Sequence, residues 1–92
     1  MDFITVEHNP SPMKLEVLNV DIWPIWTHEV GQFDWHYDTK EMCYILEGEV
    51  VVTPVDGEPV TLKERDLVNF PKGMDCSWDI RSPIRKHYLL GD

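Results

Sequence analysis

Two side chains that can do chemistry, the carboxylate of Glu41 and the thiol of Cys76, stand next to aromatic-rich stretches of the chain. The segment FDWHYDTK, residues 33–40, leads into Glu41, and Cys76 is followed two positions later by Trp78. A carboxylate against aromatic walls suits a general acid or base, and a thiol suits a nucleophile once its thiolate is stabilised. Both residues are therefore tentative catalytic candidates, and their use depends on the elements that position them.

Prolines and glycines punctuate the chain at short intervals, which predicts an all-β fold. The turn-forming stretches are NPSP (9–12), VGQ (30–32), VDGEP (55–59), PKG (71–73) and RSP (81–83). Such spacing is typical of a small sandwich or barrel, and Asp56-Gly57 predicts a hairpin. The predicted strands are 2–7, 24–30, 33–37, 42–54, 59–63, 67–70, 75–80 and 84–90. Ser11 and Pro12 favour at most one short helical turn near residues 12–18.

The alternation of residue types along 33–37 predicts which side chains face the interior. Phe33, Trp35 and Tyr37 share one face of the strand, while Asp34 and His36 share the other. Because successive side chains of a strand point to opposite faces, we expect the aromatic set to face inward.

The next strand extends this face with Glu41 and Cys43, and Trp78 shares a face with Cys76. The predicted ligand pocket is therefore lined by Trp35, Tyr37, Cys43 and Trp78, with Glu41 and Cys76 as its polar groups. An inward glutamate is costly unless it is paired, hydrogen-bonded or bound to a metal.

Length and charge restrict the classes of partner. Ninety-two residues with 42% hydrophobic content predict one globular domain over residues 1–92. A net charge of −9 argues against nucleic acid and anionic membranes as partners. No apolar run approaches the ~20 residues of a membrane span, and no secretory signal is visible, so a cytoplasmic location is expected. The basic run Arg85–His87 is interpreted as a solvated strand face.

The spacing around Glu41 and Cys76 resembles the two motifs of the cupin superfamily, G-x5-H-x-H-x3,4-E-x6-G and G-x5-P-x-G-x2-H-x3-N. Glu41 and Gly48 match the end of the first motif. The segment RDLVNFPKGMDC matches the second, with Arg65 at its first Gly and Cys76 at its His. The sequence of these motifs is similar to that of small cupins related to the ureidoglycine aminohydrolase cupin domain and the ethanolamine-utilisation group. This resemblance implies a small antiparallel jelly-roll barrel with a site at its mouth, where metal-binding members hold one divalent ion.

Two alignments of the first motif give different ligand sets. If three residues separate the second His position of the motif from Glu41, the two His positions hold Trp35 and Tyr37, and Trp cannot ligate a metal. If four residues separate them, the metal ligands are Asp34, His36, Glu41 and Cys76. One-residue slips flip every side chain of a strand, so the inward aromatic face favours the first alignment. No cofactor is therefore favoured, and a divalent metal in the second alignment remains the alternative.

Three functions are compatible with these features. We expect a small-molecule-binding cupin with a degenerate metal site, whose aromatic faces and inward carboxylate suit a small planar or cationic ligand. The alternatives are an enzyme like ureidoglycine aminohydrolase, acting on a small nitrogen-containing or carboxylate metabolite, and a purely structural or interaction domain. Unpaired strand edges also predict a homodimer.

Overall fold

A computed structural model describes residues 3–91, which form one antiparallel seven-stranded sheet folded on itself. The strands are β1 Thr5–His8, β2 Ile25–His28, β3 Gly31–His36, β4 Lys40–Pro54, β5 Val60–Lys63, β6 Asp66–Phe70 and β7 Asp75–Gly91. One helix, α1, spans Pro12–Val17, and a 3-10 turn spans Val20–Ile22. The predicted all-β fold with a single short helix is confirmed. Residue 2 of the predicted first strand lies outside the described residues.

Two long strands, β4 and β7, run through the whole structure and carry the other strands. The strand order is β1-β6-β4-β7-β2, with β3 added to β7 and β5 added to β4. The start of β4 pairs with the end of β7, from Lys40 opposite Gly91, and the end of β4 pairs with the start of β7, to Pro54 opposite Cys76. Each long strand therefore contributes to both halves of the barrel.

The corner between the two halves lies at Gly48 and Pro83. Register shifts between Ile45 and Val50 bend β4 at this point. Gly48 has φ 98°, and a Cβ there would collide with the carbonyl group of Pro83. Bulges and glycines let a strand turn such a corner. The sequence predicted a break at residues 81–83, but β7 continues through it as one strand, because a proline is tolerated at a bulge.

The helical turn forms where its capping residues predicted it. Ser11 Oγ accepts a hydrogen bond from the backbone N–H of Lys14 at 3.2 Å, which satisfies a free donor of the first turn. The helix covers the outer face of the sheet through a small apolar cluster of Leu15, Leu18, Val20, Trp23, Met42, Tyr44 and Leu67. Neither helix within residues 3–91 is long and apolar enough to cross a membrane.

The main core fills the space between the two halves of the barrel. It consists of Tyr37, Cys43, Ile45, Val50, Val52, Leu62, Val68, Phe70, Cys76, Trp78, Ile80 and Ile84. The alternation of β4 decides which of its residues join this core, since Cys43 and Ile45 are fully buried while Met42 and Tyr44 lie on the outer face. The core stops at Phe70 and Trp78, beyond which the barrel opens.

The β5–β6 turn holds a residue in a conformation that favours glycine. Arg65 has φ 73°, and it occupies the position of the first Gly of the second cupin-like motif. Its backbone N–H donates to the carbonyl of Ile45 at 2.9 Å, and its carbonyl accepts from Asn9 at 2.8 Å. The turn is thus fixed from both sides, although a side chain at positive φ carries strain.

Candidate functional site

An open cavity of about 230 Å³ lies at the mouth of the barrel, between β2, β3, β4 and β7. Its aromatic lining consists of Trp26, Phe33, Trp35, Tyr37, Trp78 and Tyr88. Its charged groups are the carboxylate of Glu41 and the ammonium group of Lys86. A concave, mainly aromatic site with a few converging polar groups is the usual form of a small-molecule site.

The aromatic rings pack on one another and hold the wall in place. Phe33 stacks on Trp78 with ring centroids 6.0 Å apart and an interplanar angle of 15°, and Trp26 meets Trp78 edge-on at 5.9 Å. Trp35 was predicted to face the interior with these rings, but 47% of its surface is exposed. It forms the rim of the cavity instead, 6.3 Å from Phe33 and 6.5 Å from Tyr37.

Tyr37 is buried at the base of the cavity and is held there by the turn that contains the P-x-G part of the second motif. The backbone N–H of Gly73 donates to the Tyr37 carbonyl at 2.7 Å, and the Tyr37 N–H donates to Met74 at 3.0 Å. Neither the Tyr37 hydroxyl nor Trp78 Nε1 reaches a partner with hydrogen-bond geometry within residues 3–91, although the indole N–H is near enough to act on the phenol. A buried polar group without a partner costs free energy.

The opposite face of β3 carries the residues of the alternative metal alignment. Asp34 and His36 are exposed, and His36 Nδ1 lies 2.7 Å from Asp75 Oδ1. Asp34, His36 and Cys76 border a separate surface groove, whereas Glu41 lines the aromatic cavity. Residues 3–91 contain no group of three or more His, Cys, Asp or Glu side chains that could hold a metal ion. The alternative ligand set is therefore not brought together.

The carboxylate of Glu41 is paired with Lys86 inside the cavity wall. Lys86 Nζ donates to Glu41 Oε2 at 2.9 Å, and the two side chains are 6% and 9% exposed. The same ammonium group lies 4.9 Å from the ring centroid of Trp26 and 4.7 Å from that of Trp78. Contacts of this length with desolvated aromatic faces stabilise a cation. The inward glutamate thus has the partner that its burial requires.

The basic run Arg85–His87 was predicted to be a solvated strand face, and for Lys86 this prediction is wrong. Side chains alternate along β7, so Lys86 points inward, while Arg85 is exposed with Nη1 3.8 Å from Glu47 Oε1. His87 Nδ1 lies 2.8 Å from the carbonyl oxygen of Trp23. The sequence contained the signal, because Ile84, Lys86 and Tyr88 share one face with period two, and Ile84 marks that face as buried.

Both predicted cysteines lie behind the cavity rather than in its wall. Cys43, predicted to line the pocket, is fully buried in the core, and burial raises the pKa of its thiol to about 11. Burial also raises the pKa of Cys76 to about 11, and its Sγ donates a weak hydrogen bond to the Trp35 carbonyl at 3.7 Å. At neutral pH both residues are thiols, and the thiol is the unreactive form.

The donor groups at the family's metal-ligand positions do not fit a divalent ion. Trp35 has no acceptor for a metal. Burial, followed by the nearby charge of Glu41, raises the pKa of Tyr37 far above its usual range, which disfavours the phenolate. Cys76 is held as a thiol, and Lys86 already neutralises Glu41. Metal ligands must be deprotonated donors, and this set does not supply them.

The cavity therefore contains four of the six predicted site residues, Trp35, Tyr37, Glu41 and Trp78. Sequence reasoning missed Lys86, together with Trp26 and Tyr88, which complete the wall. What the arrangement offers chemically is an aromatic slot with one acceptor and one cationic donor at its base.

Comparison with known proteins agrees with this fold. A DUF861 family protein from Thermotoga maritima has 52% sequence identity and a TM-score of 0.94, covering 97% of this chain and 100% of that chain. A putative ethanolamine utilization protein Q from Salmonella typhimurium has 26% identity and a TM-score of 0.65, covering 72% of this chain and 53% of that chain. The uncharacterised protein YdbB of Bacillus subtilis is 40% identical over 45 residues, which span 47% of this chain and 40% of that protein. The family model for the EutQ-like cupin domain matches residues 15–88, and the chain belongs to that family.

Proposed function

We propose that this protein is a small-molecule-binding cupin whose ligand lies in the aromatic cavity against the Glu41–Lys86 ion pair. The observation that supports the proposal is the burial of that pair beside an open cavity. A buried ion pair stabilises a fold little better than apolar residues of the same volume, because desolvation offsets the attraction. Charged groups desolvated in a cleft are more typical of functional sites.

The size of the cavity suits a small molecule. A volume of about 230 Å³ corresponds to about eight waters at ~30 Å³ each. That space suits one planar ring with a small substituent. Trp26 and Trp35 would contact its faces, and the ion pair would contact its polar end.

An enzyme acting on a small nitrogen-containing or carboxylate metabolite is the second candidate, with Glu41 as its acid or base. The pairing of Glu41 with Lys86 gives this candidate some support, since a lysine beside a carboxylate can relay a proton. Cys76 contributes little to it, because a buried thiol with a pKa of about 11 is a poor nucleophile at neutral pH. Binding without turnover therefore has the better support.

A panel of small neutral, cationic and anionic metabolites tests the proposal, and ethanolamine belongs in it because of the name of the Salmonella relative. Binding is followed by NMR through the indole N–H signals of Trp26, Trp35 and Trp78, which line the cavity. We expect at least one member to shift these signals. Glu41→Gln should weaken that binding by about tenfold or more, since it removes a charged hydrogen-bond partner.

Glu47→Gln is the matched control, because Glu47 is an exposed carboxylate on the same strand as Glu41. It should leave the affinity unchanged. If no member of the panel shifts the cavity indoles at millimolar concentration, the binding function is contradicted and a structural or interaction domain becomes the better explanation. Turnover of a bound compound, lost in Glu41→Gln, would instead establish the enzyme.

A further inference from the structure

The cavity carries its own cation. An inward carboxylate and aromatic faces attract positive charge, and the sequence predicted a cationic or planar ligand on that basis. The ammonium group of Lys86 already occupies this place, 2.9 Å from Glu41 Oε2 and over the rings of Trp26 and Trp78. A ligand therefore meets a site whose formal charge is balanced.

A balanced, desolvated pair discriminates against ligands that carry a net charge. Because the two charged groups are only 2.9 Å apart, a cation bound to Glu41 also lies close to the ammonium group of Lys86, and an anion bound to Lys86 also lies close to the carboxylate of Glu41. In either case one like charge is added to a wall where the existing side chains are 6% and 9% exposed, so water screens the repulsion poorly. A neutral ligand adds no charge and leaves the pair intact.

The pair also leaves a donor and an acceptor side by side. Lys86 Nζ has three N–H donors and uses one of them on Glu41 Oε2. The second carboxylate oxygen, Oε1, makes no side-chain hydrogen bond within residues 3–91. It is also not fully buried. Its remaining contact surface is therefore the cavity.

We propose that the cavity binds a planar, uncharged ligand that carries a primary carboxamide; this inference rests on the proposed function. The amide carbonyl accepts a hydrogen bond from Lys86 Nζ, and the amide N–H₂ group donates to Glu41. The planar part of the ligand lies against the Trp26 and Trp35 rings. A carboxamide is the neutral group whose acceptor and donor match this arrangement in one plane.

Three probes of nearly identical shape test the inference: benzamide is neutral, benzoate is an anion and benzamidinium is a cation. Each is titrated into the full chain while the cavity indole signals are followed. We expect benzamide to bind about tenfold or more tightly than either charged probe, which is the effect of one well-formed hydrogen bond to a charged group.

Substitutions should switch this preference in opposite directions. Glu41→Gln leaves Lys86 as the only charge and should shift the preference to benzoate, whereas Lys86→Met leaves Glu41 and should shift it to benzamidinium. A side chain with only a structural role would not reverse the charge preference. Glu41→Gln is nearly isosteric and carries the test if Lys86→Met fails to fold, and Glu47→Gln should keep the preference for benzamide.

A preference of the unmodified protein for benzoate or benzamidinium would overturn the inference. So would the absence of binding by all three probes while another member of the metabolite panel shifts the cavity indoles, and that result would leave the proposed binding function standing. The absence of binding by every compound, probes and panel alike, would overturn both.

Discussion

Lys86 Nζ and Glu41 Oε2 are 2.9 Å apart although the two residues are not cross-strand neighbours. The register of β4 and β7 places Lys86 opposite Ile45, while Glu41 lies opposite Leu90. The lysine side chain therefore runs along β4 from Ile45 past Cys43 to reach the carboxylate of Glu41. Only a long side chain can make this diagonal contact, and the same reach brings the ammonium group over Trp26 and Trp78.

Lys86→Met is expected to destabilise the protein by about 3–5 kcal/mol, because it leaves the Glu41 carboxylate buried without its partner. The double variant Glu41→Leu/Lys86→Met should recover most of that loss, since the cavity wall then contains no charge. The measurement is the free energy of unfolding by urea for the single and double variants. Additive losses would show that the two side chains are not energetically coupled.

The exposed pair of Arg85 and Glu47 provides the control for this cycle, because it joins the same two strands at 3.8 Å. Arg85→Met should cost less than about 1 kcal/mol, as exposed ion pairs usually do. A loss comparable to that of Lys86→Met would mean that the effect comes from β7 itself rather than from the buried charge.

Trp78→Ala and Trp35→Ala should separate stability from binding. Trp78 is 2% exposed, so its truncation is expected to cost about 3–5 kcal/mol. Trp35 is 47% exposed at the rim, and its truncation should cost only about 1 kcal/mol while it weakens ligand binding. Thermal unfolding and a binding titration on both variants check this. Equal losses of stability would mean that the Trp35 ring is buried, facing the interior as the sequence predicted.

The fold was predictable because local signals and strand alternation agree. The Asp56-Gly57 turn, the Ser11 cap and the inward alternation of β4 each correspond to a feature of the structure. Gly48 was found through its place in a motif, and the structure gives the reason, which is the close approach of Pro83 at the corner.

The site was predictable only in part, because strand alternation specifies a face and not a depth. Trp35 and Tyr37 share a face, yet one is at the rim and the other is buried. Cys43 shares the inward face of Glu41 but lies deeper, in the core. Lys86 was missed because a basic run is usually solvated, although Ile84 and Tyr88 on the same predicted strand mark its face as the inward one.

Arg65→Gly is expected to stabilise the protein by about 0.5–1 kcal/mol. Arg65 has φ 73°, where glycine has no strain, and this gain should exceed the greater entropy that glycine has in the unfolded chain. Urea unfolding measures the change. Glu64→Gly is the matched control, because Glu64 belongs to the same turn and is not among the residues with positive φ, so this variant should lose stability. Equal effects of the two variants would show that the strain at Arg65 is negligible.

Alkaline pH should destabilise the protein through its buried thiols. Burial raises the pKa of Cys43 from 9.0 to about 11, so below about pH 9 the folded and unfolded states both hold the proton. Between about pH 9 and about pH 11 the unfolded chain loses it while the native state keeps it. The contribution of Cys43 to the free energy of unfolding therefore falls with rising pH in this window and becomes constant above it.

Cys43→Val removes this one titration and leaves Cys76 and the lysines in place. The difference in unfolding free energy between the unmodified protein and Cys43→Val, measured in urea at several pH values, should be constant below about pH 9 and should then shift against the unmodified protein up to about pH 11. A difference that stays constant over the whole range would mean that the Cys43 thiol titrates alike in both states and is not desolvated by the fold.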